Sequence, residues 1–264
     1  MKTLREAVIF VLSIALSLSV CFAQSGGTQS YNVGVEYGVQ GKFDKAKEQF
    51  QNALRIDPSF GPPKQSLVIA DDAITQQIRS QTAIHLFRAT ADANKKQWDS
   101  AIDECNKAIE TNSNYSEAYN LRASIHKQRN NDAEAIKNYD KALDLNPKNA
   151  AAYFNRGNVY SGKGHYDQAI ADYTKVLEIN PKDYEAYGNR GAAYRHKDNF
   201  NQAVTDYNKA LEINPNLMTV HYNLGYIYMV KLGDKQKGCY HWKRACELGE
   251  CRNYDKAKSA GYCK

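Results

Sequence analysis

Three stretches of the chain end alike: Lys141-Ala142-Leu143-Asp144-Leu145-Asn146-Pro147, Lys175-Val176-Leu177-Glu178-Ile179-Asn180-Pro181 and Lys209-Ala210-Leu211-Glu212-Ile213-Asn214-Pro215. Their prolines recur every 34 residues. Pro58 closes an earlier copy, and Ser113 stands where a further Pro would fall. Other columns keep the same phase. Gly34, Ala89, Ala123, Gly157, Gly191 and Gly225 form one column of small residues, and Ala46, Ala101, Ala135, Ala169 and Ala203 form a second. Tyr37, Tyr160, Tyr194 and Tyr228 follow the first column, with Asp92 and His126 as departures. Phe50, Cys105, Tyr139, Tyr173, Tyr207 and Trp242 follow the second. A fixed period of this length means small supersecondary units, none able to bury its apolar surface alone, stacked into a continuous core.

Each unit reads as two helices. Tyr153, Gly157 and Tyr160 recur at spacings of four and three, one face of a helix, and Ala169, Tyr173, Val176 and Leu177 do the same. Small residues at Gly157 and Ala169 let two backbones approach, with Tyr160 and Tyr173 filling the space around them. Gly164-His165-Tyr166 is the turn between the helices. Asn180-Pro181 stops the second helix, because the ring fixes φ and disfavours helical geometry in the residue before it.

The order and period of these Gly, Tyr, Ala, Phe and Pro columns resemble the tetratricopeptide repeat. The resemblance implies an all-α, right-handed superhelical solenoid of six helix-turn-helix repeats, at 27–60, 82–115, 116–149, 150–183, 184–217 and 218–251. It also implies protein–protein interaction through the concave face. Residues 61–81 break the phase. They open with Gly61-Pro62-Pro63 and then read as helix to about Ser80, an extension of the following helix projecting beyond the stack. The last repeat gains one residue around Gly233–Lys237, and its second helix also resembles a Sel1-type repeat. Residues 252–264 form a C-terminal cap, with a helix expected to 262.

The charge is not that of a nucleic-acid binder. The net +6 divides into +1 in residues 1–23 and +5 in 229–264, where nine basic residues face four acidic ones. Residues 24–228 are neutral, so no long basic track exists for phosphates. Residues 1–23 follow the grammar of a cleaved secretory signal: Lys2 and Arg5, an apolar run from Ala7 to Phe22, then small residues at Cys21 and Ala23. That predicts an exported protein, periplasmic or secreted. Leu18-Ser19-Val20-Cys21 also resembles a lipobox, which would tether the chain to a membrane through Cys21 as a lipoprotein of an envelope assembly machine.

The sequence offers no enzyme. It has no Gly-x-Ser-x-Gly and no Gly-rich phosphate loop. The six histidines show no recognised ligand spacing, so no metal and no cofactor is expected, and no small-molecule substrate is evident. His85 and His221 stand in the column of Tyr119, Tyr153 and Tyr187 and read as packing residues. Cys105, in the Phe50 and Tyr139 column, reads as a small buried apolar side chain. Arg122, Arg156 and Arg190 recur with Asn138, Asp172 and Asp206 sixteen residues later, which reads as structural pairing across a helix pair.

Two further readings concern surfaces. Cys239, Cys246, Cys251 and Cys263 crowd the end of an exported chain and read as a disulfide staple. An antiparallel hairpin turning near Gly249 pairs residues equidistant from the turn, which favours Cys239–Cys263 and Cys246–Cys251 among three connectivities. On the first helix of each repeat, a second stripe lies roughly 130° from the core stripe. It comprises Glu117, Asn120, Ser124 and Lys127, then Phe154 and Asn158, then Glu185 and Arg195, then Tyr222 and Tyr226. Asn can bond both groups of a peptide backbone, exposed rings supply burial, and Lys127 and Arg195 could meet carboxylates. The expected occupant is an extended peptide of a protein partner.

Overall fold

A computed structural model of the protein describes residues 26–58 and 60–263. The expected leader at 1–23, with Cys21, lies outside the described residues. The chain forms two compact units, Met1–Pro147 and Lys148–Lys264. Every regular element among the described residues is helical. Both units are stacks of antiparallel helix pairs, the helical-solenoid class.

Unit 1 contains α1 (residues 26–39), α2 (Phe43–Ile56), α3 (Pro62–Ile74), α4 (Ser80–Asn94), α5 (Trp98–Thr111), α6 (Ser116–Gln128) and α7 (Asp132–Leu145). Small residues and rings alternate at its centre. Ala46, Ala101 and Ala135 are fully buried, and the Phe50 and Phe87 rings stack 5.8 Å apart.

The inserted segment is not an extension of the next helix. α3 is a separate helix that packs on α2 and buries Ile69, Ala70 and Ala73. It stops where Thr75 folds its hydroxyl back onto Asp71 O (2.8 Å) and Gln76 takes a left-handed φ of +59°. Ile78 is buried beyond the break, and Asp72 accepts a hydrogen bond from Tyr115 Oη (2.6 Å). The segment carries enough apolar residues on one face to join the core, so it folds inward instead of projecting.

Unit 2 contains α8 (Ala150–Gly162), α9 (Tyr166–Ile179), α10 (Tyr184–His196), α11 (Phe200–Ile213), α12 (Met218–Tyr226), α13 (Lys235–Glu247) and α14 (Arg252–Ser259). Asn149 and Asp183 cap α8 and α10 by accepting from the amides of Ala152 and Ala186, satisfying N–H groups that a helix start leaves unpaired. Ala169 and Ala203 are fully buried, and Tyr173 and Tyr207 are buried at the centre. The extra residue of the last repeat is taken up upstream of its expected place. α12 continues into a five-residue π-helix, Ile227–Lys231, with Leu232 N–H bonded to Ile227 O (2.9 Å). A π-turn absorbs one residue without ending the helix. Gly225 thereby stays against Trp242 while Gly233 reaches the turn. The capping helix α14 ends at Ser259, earlier than the expected 262, and the chain turns at Gly261, φ +74°.

The turn within each of the first five repeats has a common device. Gly41, Lys96, Asn130, Gly164 and Asp198 all have positive φ, between 55° and 77°. The next residue in each case bonds back five positions at 2.9 Å, for example His165 N–H to Tyr160 O and Gln97 N–H to Asp92 O. This is the Schellman closure, which favours Gly. Lys96 is exposed and pays the left-handed cost of an L-residue. Lys96→Gly is therefore expected to raise the unfolding free energy by about 1 kcal/mol in urea titration. A loss of stability would show that the Lys96 side chain contributes more than its backbone costs.

Candidate functional site

α8, α10 and α12 carry the unit 2 part of the second stripe. Phe154, Asn158, Glu185, Arg195, Tyr222 and Tyr226 are all half-buried. Phe154 sets its ring edge-on to Tyr173, 5.9 Å between centroids. Asn158 Oδ1 accepts from Tyr173 Oη (2.7 Å) and from Asn189 Nδ2 (3.0 Å), so α8 and α10 are joined through this amide. Burial pushes the Tyr173 hydroxyl well above its ordinary range, and burial pushes Tyr207 up to about 12 against the lowering influence of Arg195. Both hydroxyls are therefore neutral at physiological pH. Arg195 Nη2 lies 3.2 Å from His196 Nε2, while its Nε is buried without a hydrogen-bond partner. Lys231 lies over the rings of Phe200 (5.3 Å) and Tyr226 (6.0 Å). The corresponding Lys197, 34 residues earlier, is instead paired with Asp167. The position 34 residues after Asp167 is Asn201, which removes the carboxylate. Asn189 and Lys231 were absent from the expected stripe. The Asn201 change was the readable sign of Lys231.

In unit 1 the stripe is interrupted. Asn120 is 1% exposed and its Oδ1 has no hydrogen-bond partner, so it does not line an open groove. Residues 118–121 of α6 are all buried. Four consecutive helical residues point around the whole circumference, so this turn of α6 offers no open groove for a peptide. Ser124 Oγ bonds to Asn120 O (3.0 Å) and lies 3.1 Å from Tyr139 Oη. Lys127 is half-buried.

The arginine column forms the expected structural pairs. Arg156 grips Asp172 through two bonds (2.9 and 2.7 Å), and Arg190 grips Asp206 through two of 2.8 Å. Both aspartates are buried. Arg190 Nη1 also donates to Thr174 Oγ1 (3.0 Å) on the preceding α9, so one guanidinium ties three helices. Arg122 follows the plan with neutral partners, donating to Asn138 Oδ1 (2.7 Å) and Asn106 Oδ1 (2.6 Å). Cys105 is fully buried, and burial pushes its thiol up to about 12, far from a nucleophile.

The last repeat is closed by a staple. Cys239 and Cys263 are bonded at 1.98 Å, and Cys246 and Cys251 at 1.91 Å, the nested arrangement. Trp242, Ala257 and Cys263 pack together beneath it. Alongside, His221 Nδ1 lies 3.0 Å from His241 Nδ1. His221 Nε2 lies 3.1 Å from Pro215 O, and a carbonyl only accepts, so His221 carries its proton on Nε2. His241 Nδ1–H then donates to His221 Nδ1, and both rings are neutral. Burial, then the neighbouring His221, lowers His241 to about 4, and burial lowers His221 too. The unfolded rings take up protons below about pH 6.5, whereas the folded His241 resists until about pH 4. Stability is fully present above 6.5 and falls through that window. Between pH 7 and pH 5 the wild type is expected to lose about 2 kcal/mol more than His241→Phe in urea unfolding. Equal losses would remove His241 from the account.

Among the described residues no group of three His, Cys, Asp or Glu could hold a metal ion, and no helix is long and apolar enough to cross a membrane. No curated protein matches the chain. Family models described as tetratricopeptide repeat match residues 30–60, 150–183 and 172–205, and one described as TPR repeat matches 123–164 and 191–231. Among solved structures the fold is similar to MamA, residues 41 to the end, from Desulfovibrio magneticus RS-1, with 19% identity and a TM-score of 0.59 over 66% of this chain and 97% of that one. A MamA RS-1 ArsTM double mutant gives 20% identity and 0.59 over 64% and 94%. At these identities the likeness is one of fold. With its repeats in phase, its helix pairs stacked and the family's models together matching 30–60 and 123–231, more than half of the chain, the chain belongs to the tetratricopeptide repeat family.

Proposed function

We propose that the protein is an exported scaffold that holds an extended segment of a polypeptide partner on the α8, α10 and α12 face of unit 2. The tetratricopeptide architecture supports a protein-interaction scaffold. The observation that carries the finer reading is the composition of this face. Rings at Phe154, Tyr222 and Tyr226 alternate with the amides of Asn158 and Asn189 and with Arg195 and Lys231, while the opposite sides of the same helices are spent on core packing. Rings of this kind bury area at low entropy cost, and amides bond a peptide backbone. Export is supported by two disulfides, which persist in oxidising compartments, and by the signal-like residues 1–23. Mass spectrometry of the mature N-terminus separates cleavage before Gln24 from lipidation at Cys21.

The test replaces half-buried groups of this face and spares Asn158, whose loss would leave two donors unpaired. In the triple variant Arg195→Glu, Tyr222→Ala and Tyr226→Ala, with native circular dichroism, capture of the partner identified by crosslinking in the native envelope should fall at least about a hundredfold, since central anchors each contribute about 2 kcal/mol. Unchanged capture would eliminate this face.

A further inference from the structure

Two departures from the repeat meet in one cavity. The column that holds Tyr160 and Tyr194 in unit 2 holds His126 in unit 1, and the column of Asp172 and Asp206 holds Asn138. Both line a cavity of about 660 Å³ on unit 1, floored by Tyr119, Arg122 and His126 of α6 and walled by α5 and α7. That volume is within the range of small-ligand sites.

The consequence is electrostatic. Arg156 and Arg190 each meet a buried carboxylate fork to fork. Arg122 is held in the same pose by two amide oxygens, which orient the guanidinium without neutralising it. Among the described residues no carboxylate lies within ion-pairing distance of Arg122. Its Nε and Nη1 are used, and no protein group takes Nη2. Asn138 is itself fixed, its Nδ2 donating to Glu134 O (2.8 Å). On the same floor, His126 Nδ1 is buried without a hydrogen-bond partner. A half-buried cation without a counter-ion beside an unused imidazole nitrogen is an incomplete constellation.

We propose that this cavity binds the carboxylate of a small organic acid, with Arg122 as its cationic anchor and the His126 ring beside it. Carboxylate is favoured over phosphate because the two sister arginines show which anion this guanidinium pose accepts. The cavity lining also includes Glu134, Asp140 and Asp144, which oppose a multiply charged anion, and Lys137 is paired with Glu134 (3.9 Å), so Arg122 is the anchor. The sequence displayed both substitutions, but only the facing of α6 and α7 brings them together.

The experiment uses the full mature chain with ¹⁵N-labelled arginine and histidine. Propionate, alanine as a zwitterionic carboxylate, and inorganic phosphate are each titrated, and the Arg122 Nε–H and His126 ring signals are followed. Saturable shifts with propionate or alanine, and a His126 titration moved upward in the bound state, are expected. Asn138→Asp installs the counter-ion present in the sister repeats. It should keep the fold, as Asp172 and Asp206 do in the sister repeats, and weaken carboxylate binding at least about tenfold. No saturable shift with either carboxylate, equal binding by Asn138→Asp, or a response to phosphate alone would each overturn the proposal.

Discussion

Arg190→Ala is expected to cost about 3–5 kcal/mol of unfolding free energy, because it leaves the buried Asp206 carboxylate without its cation. Both partners are well shielded from solvent, so this is not the weak exposed pair that contributes under about 1 kcal/mol. The hydrogen bond from Arg190 to Asp206 also holds the guanidinium above its ordinary range, against the opposing effect of burial. The protein contains the control. Arg122 with Asn138 shows that a neutral amide fits the aspartate's place, so Asp206→Asn should cost less than Arg190→Ala. In the double variant Asp206→Asn, Arg190→Ala, part of the loss should be recovered, since no charge is then stranded. Urea unfolding of the four proteins checks the cycle. A loss under about 1 kcal/mol for Arg190→Ala, with partner capture abolished, would transfer this column from architecture to recognition.

Gly225→Val is expected to destabilise by about 3 kcal/mol, the upper part of the overpacking range. A Cβ built at Gly225 would lie 2.2 Å from Trp242 Cδ1 and 2.5 Å from its Nε1. The ring cannot slide freely, because its N–H donates to Tyr222 O (3.3 Å) and its other side packs against Ala257 and Cys263. Gly188 is the matching control. A Cβ there meets only Val220, at 3.7 Å, so Gly188→Ala should gain up to about 1 kcal/mol from helix propensity. Opposite signs at two helical glycines, read from thermal unfolding, are the expected outcome. Equal signs would mean that the Trp242 contact is not tightly held.

These two positions show what the sequence could and could not disclose. Gly225 and Trp242 stood in their columns, and Arg190 and Asp206 in theirs, because a repeat makes each position visible several times. The repeat boundaries and the helix pairs follow from that redundancy. Features that occur once had no such help. The separate α3 depends on Gln76 leaving the helix, and Gln carries no turn signal. The π-turn at Ile227–Lys231 has an ordinary apolar sequence, whereas the Gly233 turn is the conspicuous place for an extra residue. Helical angle alone puts Asn120 on the groove stripe, and angle does not report that residues 118–121 are all buried. The left-handed turn column is not legible in the sequence because Lys96, Asn130 and Asp198 share no chemistry with Gly41 and Gly164; they share a backbone conformation.

The most direct test of the scaffold assignment is amide hydrogen exchange of the full mature chain with and without its crosslinked partner. Added protection on α8, α10 and α12, with α9 and α11 unchanged, is the result expected from the face carrying Phe154, Arg195, Tyr222 and Tyr226. Protection confined to α9 and α11, or to unit 1, would contradict it.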